Sequence, residues 1–366
     1  MAKVSSYRND ISDVLRLDLP WEKFNGCNIL VTGATGLIGS CLIDVLMSKH
    51  SQTYDVYAAG RNKARAETRF SKYMLQKNFH FLQYDVEKPI HSEISFHYIV
   101  HAASNASPNF FAKKPVEVMK SNIQGLINLV EYGLGHGMKR LLYVSSGEVY
   151  GEGDGSIFKE EYSGYVNPNK SRSCYPCSKR AAETLCASYT DEYNADIVIA
   201  RPSHVYGPYF TESDNRVFAQ FIRNVINKQD IVMKSTGSQY RSWCYVVDCV
   251  SALLYILLKG RKGDVYNVAD NGSNLTIKEL AELIARIGNR KVVIDLPTNE
   301  ELKGFNPVTR SVFDTTKLEG LGWSVNDTIC NKMISTIKER CEDLEGPVSK
   351  ASQYEENISN NITECP

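Results

Sequence analysis

The chain has 366 residues, 43% of them hydrophobic and 23% charged, with 42 Lys and Arg balanced by 42 Asp and Glu. That length supports one large unit plus a smaller lobe, and the balanced charge excludes a net field that would draw the chain to nucleic acid or an anionic membrane. No apolar run reaches membrane-spanning length and the first ten residues lack the apolar stretch of a secretory signal, so the expected compartment is the cytoplasm. The ten cysteines are scattered and are expected to be reduced, packed thiols.

Residues 1–26 read as an amphipathic lead-in, with Ile11, Val14, Leu15, Leu17, Leu19, Trp21 and Phe24 on its apolar side, expected to pack on its own domain. Asn28-Ile-Leu-Val-Thr-Gly-Ala-Thr-Gly-Leu-Ile-Gly-Ser40 follows, an apolar run that turns through Gly33, Gly36 and Gly39 into an amphipathic segment. The spacing predicts strand, tight turn and helix. The first two glycines let backbone approach a pyrophosphate, and the third lets helix and strand pack closely. Phosphates are favoured at such a helix N-terminus by unpaired N–H groups and the helix dipole.

The second predicted strand, Tyr54 to Ala59, ends in Gly60-Arg61-Asn62. An acidic residue at this point, about 20 residues past the turn, would bind the ribose of NAD, and Gly60 cannot do so. Arg61 suits a 2′-phosphate, which favours NADP over NAD. A third strand leads to Asp85 and Val86 beside the adenine position. A fourth, Tyr98 to Val100, ends in His101, Ala102 and Ala103, small enough to let backbone approach the cofactor. Strands alternating with helical segments imply an α/β, Rossmann-like, doubly wound parallel sheet over residues 27–205, with ligands at the carboxyl ends of its strands. Residues 206–340 read as a smaller substrate lobe partly interleaved with it, and 341–366 as a polar, disordered tail.

The fifth strand, Lys139 to Val144, runs into Ser145-Ser-Gly-Glu-Val-Tyr-Gly151, and Tyr175-Pro-Cys-Ser-Lys179 opens a helix with Pro176 well placed at its start. Tyr175 and Lys179 then lie one turn apart on one face. An ammonium beside a phenol favours the phenolate, giving a base that works near neutral pH from a group whose free pKa is about 10. The Ser146 hydroxyl would hold the reacting carbinol against it. Cys174 and Cys177 form a C-x-x-C without a second pair, and no metal site is expected.

These stretches resemble the extended short-chain dehydrogenase/reductases, the nucleotide-sugar epimerases, dehydratases and decarboxylases, over residues 27–325. Within that group the chain is most similar to the UDP-glucuronate decarboxylases, through His101-Ala-Ala-Ser-Asn-Ala-Ser-Pro108, Ser146-Gly-Glu-Val-Tyr-Gly151, Asn167-Pro168 leading to Ser173-Cys-Tyr175, Lys179-Arg-Ala-Ala-Glu183 and Gly237-Ser-Gln-Tyr-Arg-Ser-Trp-Cys-Tyr-Val246. The resemblance implies oxidation of the sugar at C4 by Tyr175, Lys179 and Ser146, a 4-keto intermediate, and return of the hydride. It adds Thr35, Leu37, Ile38, Asn122 and Arg201 to the cofactor contacts.

For the substrate, a nucleoside-diphosphate sugar, the resemblance implies Ser104, Ser107, Ser146, Gly147, Glu148, His204, Arg216, Arg241 and Arg310. Relatives place Asn at the position of His204 and arginines matching Arg216 and Arg241 on the diphosphate; in decarboxylases the arginine matching Arg241 is also assigned to the carboxylate step, although epimerases have it too. In 4,6-dehydratases an Asp-Glu pair stands where this chain has Gly147-Glu148; glycine cannot supply the acid, whereas decarboxylases keep the Glu alone, usually after a Ser. A decarboxylase is therefore the leading expectation, with a 4-epimerase, an atypical dehydratase or an NADPH-dependent keto-sugar reductase as alternatives and a non-catalytic dinucleotide sensor as a remote one. The family's four-helix contact implies a homodimer through the helix of Tyr175 and that of residues 115–135.

Overall fold

The computed structural model describes residues 6–49, 53–295 and 308–345. Its main sheet has seven strands: β1 (Asn28–Thr32), β2 (Asp55–Gly60), β3 (Phe79–Gln83), β4 (Tyr98–His101), β5 (Arg140–Val144), β6 (Ile197–Pro202) and β10 (Val265–Val268). They run in the order β10-β6-β5-β4-β1-β2-β3 with every pair parallel. The winding reverses between β1 and β4, which is where an open parallel sheet leaves a crevice at its carboxyl edge.

Both faces of the sheet are buried, as continuous apolar strands such as Ile29, Leu30 and Val31 require. On one face Ile29 and Val31 pack with α1 (Tyr7–Leu15), α2 (Leu37–Ser48) and α8 (Val246–Lys259). On the other, Leu30, Ile99 and Leu141 meet α5 (Pro115–Gly135) and α6 (Cys174–Tyr193). The lead-in packs on its own domain: Tyr7 of α1 donates to the buried Asp44 at 2.8 Å, and Arg69 pairs with the same carboxylate. Asp10 accepts from Tyr245 at 3.0 Å.

The small lobe is built on β9 (Tyr240–Tyr245), flanked by β7 (His204–Tyr206), β11 (Asn274–Thr276) and β13 (Arg310–Ser311). A short parallel pair joins β8 (Ile231–Met233) to β12 (Val292–Ile294). Helix α9 (Ile277–Ile287) starts at a capping box in which Thr276 and Glu279 satisfy each other's backbone N–H groups.

A C-terminal helix, Ile329–Glu345, carries regular structure past the expected boundary at 341; the rest of the expected tail lies outside the described residues. It is anchored by Lys332, whose ammonium is buried 2.6 Å from Asp248. Among the described residues Cys27, Cys41, Cys174, Cys177, Cys186, Cys244 and Cys249 carry free thiols, while Cys330 departs from the expectation in being disulfide-bonded. Among the described residues no helix is long and apolar enough to cross a membrane.

Candidate active site

The β1–α2 turn carries the first part of the site. Gly33 has φ +67°, and a Cβ there would lie 2.6 Å from the Ala102 carbonyl oxygen, so only glycine lets the end of β4 come this close. A Cβ on Gly39 would lie 2.4 Å from the Gly33 carbonyl oxygen, which explains the tight seating of α2 on the turn. Beside the turn is a cleft of about 410 Å³ lined by Gly33, Thr35, Gly36, Leu37, Ile38, Gly39, Arg61, Asp85, Val86, Ala102, Ala103, Ser104 and Ser107. Arg65, which the sequence reading missed, joins them from α3 (Lys63–Arg69). This glycine cradle at a helix N-terminus fits the pyrophosphate of a dinucleotide.

Three residues expected at the cofactor stand behind the cleft wall instead. His101 is buried, with Nδ1 2.8 Å from Thr32 Oγ1, and burial followed by the Lys179 charge lowers its pKa to about 3, so it is neutral. Asn122 donates to Ser178 at 2.9 Å and accepts from Ser104 at 2.8 Å, so it steadies a residue of the wall. Arg201 is held by Glu183 at 2.6 Å and donates to the Tyr150 hydroxyl and the Glu160 carbonyl. His101 and Arg201 stand on β4 and β6, whose pleat turns their side chains away from the cleft, and Asn122 stands on the buried side of α5.

A second cavity of about 450 Å³ adjoins the cleft, lined by Ser146, Gly147, Glu148, Arg172, Tyr175, His204, Arg216, Arg241 and Phe313 among others. Ser146 caps the short turn Gly147–Tyr150, accepting from the Glu148 N–H at 3.2 Å. Arg216 borders both cavities, with its guanidinium on Asp214 at 2.6 Å. Arg241 on β9 is buried; one arm donates to the Val308 carbonyl and Nη1 has no partner among the described residues. Burial lowers its pKa to about 10, against the pull of Glu148. His204 lines this cavity and is exposed to it; desolvation, then the Arg241 and Arg216 charges, lower its pKa. Arg310, expected at the nucleotide, is exposed on β13 over the Tyr240 ring, while Ser311 and Phe313 from the same segment line the cavity.

Tyr175 and Lys179 lie on one side of α6, as their spacing requires, but their charges differ from expectation. Burial, then the Glu148 charge, pushes Tyr175 up to about 12, with Ser146, Arg216 and Ser104 acting in the opposite direction. Lys179 donates to the Val144 carbonyl at 2.8 Å, sits 5.8 Å from the Tyr175 ring centre, and is lowered by burial to about 7. The sequence reading supplied Lys179 as a fully charged neighbour and left out the cost of burying it.

That cost is measurable. A lysine ordinarily near 10.5 and lowered to about 7 on folding disfavours the folded state below pH 7, and the penalty fades as pH rises toward 10. Lys179→Met is therefore expected to raise the melting temperature at pH 6 and leave it unchanged near pH 10, while turnover falls about 10³-fold. Thermal melts across that range, beside a turnover assay, check both parts.

The sequence reading also missed Arg172, Phe111 and Phe313. Arg172 grips Glu148 with both arms at 3.0 and 3.1 Å, and its guanidinium lies 4.7 Å from the Phe111 ring centre. Phe111, on α4 (Pro108–Lys113), stacks in turn on Tyr175 at 4.7 Å. Arg172 stands three residues before Tyr175, immediately ahead of the Ser173-Cys-Tyr175 stretch already singled out, which was the available signal. No cluster of metal-binding residues occurs among the described residues.

The doubly wound sheet, glycine cradle and Ser-Tyr-Lys arrangement define an enzyme of the extended short-chain dehydrogenase/reductase class. The chain belongs to the NAD dependent epimerase/dehydratase family, whose model matches residues 29–269. It is 33% identical over 295 residues to UDP-glucuronic acid decarboxylase 5 of Arabidopsis thaliana, spanning 81% of this chain and 84% of that one. The fold is shared with the UDP-glucose 4-epimerase of Thermotoga maritima, at TM-score 0.74 and 24% identity over 87% of this chain and all of that one. It is shared too with the NAD-bound dTDP-glucose 4,6-dehydratase DesIV of Streptomyces venezuelae, at TM-score 0.75 and 22% identity over 87% of this chain and 97% of that one.

Proposed function

We propose that this enzyme decarboxylates a nucleoside-diphosphate hexuronate, UDP-glucuronate in the first instance, to the corresponding pentose. The observation that carries the reading is the packing of Phe313 on Gly147. A Cβ at Gly147 would lie 2.0 Å from Phe313 Cζ, so the position that bears the dehydratase acid has no room for a side chain. Glu148 remains, together with Arg172, Arg216 and Arg241, in a cavity whose cations suit a substrate carrying a diphosphate and a carboxylate. The 33% identical decarboxylases support the same reading.

Ser146 orients the C4 hydroxyl, and Tyr175 takes its proton at Oη. Bound in the glycine cradle, the dinucleotide supplies a reversible acceptor for the C4 hydride. The C5 carboxylate is then β to a ketone; its C5–C6 bond breaks, carbon dioxide leaves, and the electron pair passes into the C5–C4–O enolate. Glu148 serves the proton delivered to C5, and Tyr175 returns its proton to the C4 oxygen as the hydride comes back. The net change is one proton taken up and one carbon dioxide released, with no net oxidation. Incubation with UDP-glucuronate, UDP-glucose and their dTDP counterparts is expected to give a product lighter by carbon dioxide from the uronate alone. Loss of water, or an isomer of unchanged mass, would replace the reading with dehydration or epimerisation.

For the cofactor we favour NADP over NAD. No carboxylate stands at the end of β2, and Arg61 and Arg65 line the cleft beside Gly60. Arg61→Ala with Arg65→Ala is expected to weaken NADP binding about tenfold or more and to leave NAD binding nearly unchanged, as loss of charged hydrogen bonds to a 2′-phosphate requires. Titration with both dinucleotides distinguishes this from a pair of solvated arginines. A homodimer through α5 and α6 is supported by Val116 and Met119, which are exposed on α5.

A further inference from the structure

Arg172 is the cation of the sugar cavity whose partner is itself a candidate acid–base group. Two of its arms hold Glu148, its face rests on Phe111, and its buried Nε has no hydrogen-bond partner among the described residues. A guanidinium offers five N–H donors, so this grip leaves capacity unused. Arg216 is committed to Asp214, and Arg241 is set back on β9 against the Val308 carbonyl. The Phe111 ring stands between Arg172 and Tyr175 and stacks on both, so the cation is positioned by the same packing that positions the tyrosine. With part of its side chain open to the cavity, Arg172 can be reached by a ligand there.

We infer that Arg172 determines specificity for a C5 carboxylate by exchanging partners: its fork passes from Glu148 to the carboxylate of the incoming uronate. This inference rests on the decarboxylase reading above. A neutral C6 hydroxymethyl group cannot displace Glu148 from a bidentate ion pair, so a hexose leaves the pair closed and Glu148 tied up. A uronate opens it, receives a counter-ion, and frees Glu148 for the proton at C5. Departure of carbon dioxide removes the competing anion. Arg172 then returns to Glu148, and the pentose product is held by its nucleotide diphosphate alone. No covalent step is added to the reaction.

The test is ligand selectivity, measured by calorimetry with UDP, UDP-glucose, UDP-xylose and UDP-glucuronate on the cofactor-loaded enzyme carrying Tyr175→Phe, so that the uronate binds without being consumed. Arg172→Gln is expected to weaken UDP-glucuronate about tenfold or more, the scale of a lost charge-assisted bidentate pair, while the other three change little. Arg172→Lys, which keeps the charge without the fork, is expected to fall between. Glu148→Gln removes the competitor and is expected to tighten UDP-glucuronate selectively although turnover collapses. Equal weakening of all four ligands by Arg172→Gln would make the residue merely structural, and undiminished UDP-glucuronate binding would refute the exchange. If Arg172→Gln does not fold, Arg172→Lys and Glu148→Gln decide the matter by the same selectivity. The decarboxylase reading fails separately, if the unaltered enzyme releases no carbon dioxide from a uronate.

Discussion

Tyr175→Phe is expected to lower turnover by at least about 10³-fold while dinucleotide and UDP binding persist, because only the hydroxyl that accepts the C4 proton is removed. The ring matters independently of the hydroxyl. It is buried and stacks on Phe111 at 4.7 Å, so phenylalanine preserves the packing that also seats Arg172. A large loss of rate therefore comes with little loss of stability. The burial that raises the Tyr175 pKa is relieved by the substitution, because a phenol held away from water is replaced by a hydrocarbon. Turnover, dinucleotide titration and a melt on the same preparation check the three parts. Retained turnover would remove Tyr175 from the chemistry.

Filling Gly147 is expected to have the largest combined effect on stability and activity. Phe313 is almost fully buried, edge-on to Tyr150 at 5.5 Å, and its own N–H donates to Ser242 Oγ at 3.2 Å. The backbone on either side is clamped to Phe158, whose N–H donates to Val312 and whose carbonyl accepts from Asp314. The ring cannot swing aside cheaply, so Gly147→Ser or Gly147→Asp overpacks the site at a cost of roughly 1–3 kcal/mol. Phe313 also lines the sugar cavity, and its displacement shifts the groups facing the substrate, with an expected fall in turnover of about 10²-fold. Phe313→Ala alone costs about 3 kcal/mol or more by leaving a cavity. The double variant Gly147→Ser, Phe313→Ala is expected to cost less than the sum of the two, because each relieves the other's defect. Melting temperatures of the four forms give that coupling directly, and strict additivity would mean that the two positions do not press on each other.

Those two residues also show what could be read from the sequence. Gly147 was legible as a missing acid, since its place in Ser146-Gly-Glu148 could be compared with related motifs. The reason for the glycine was not legible, because Phe313 lies 166 positions away and reaches it only through the bridge between Phe158 and the 312–314 segment. The strands of the main sheet were clear because they are apolar, buried on both faces, and punctuated by Gly33 and the serines at the end of β5. The small lobe was harder. Strands β7, β8, β11, β12 and β13 have two or three residues each, too short to display a period, and are held by pairing with distant partners.

Tyr175 and Lys179 were legible from their spacing on one helix face together with their place after the glycine turn and the serines that end β5. Their electrostatics were not, because burial acts on the pair through the whole of α5, α6 and the sheet edge, and it outweighs the ammonium's influence on the phenol. Arg172 was hidden for a related reason. Its ion pair with Glu148 joins a strand-end turn to the segment ahead of α6, 24 residues apart in sequence.

The most direct measurement follows the label from UDP-glucuronate carrying 13C at C6, incubated with the enzyme and a catalytic amount of dinucleotide. The account requires one 13CO2 per UDP-pentose formed, over many turnovers, with no net change in reduced cofactor. Labelled carbon retained in a UDP-sugar product, or carbon dioxide released only in step with added oxidant, would contradict it.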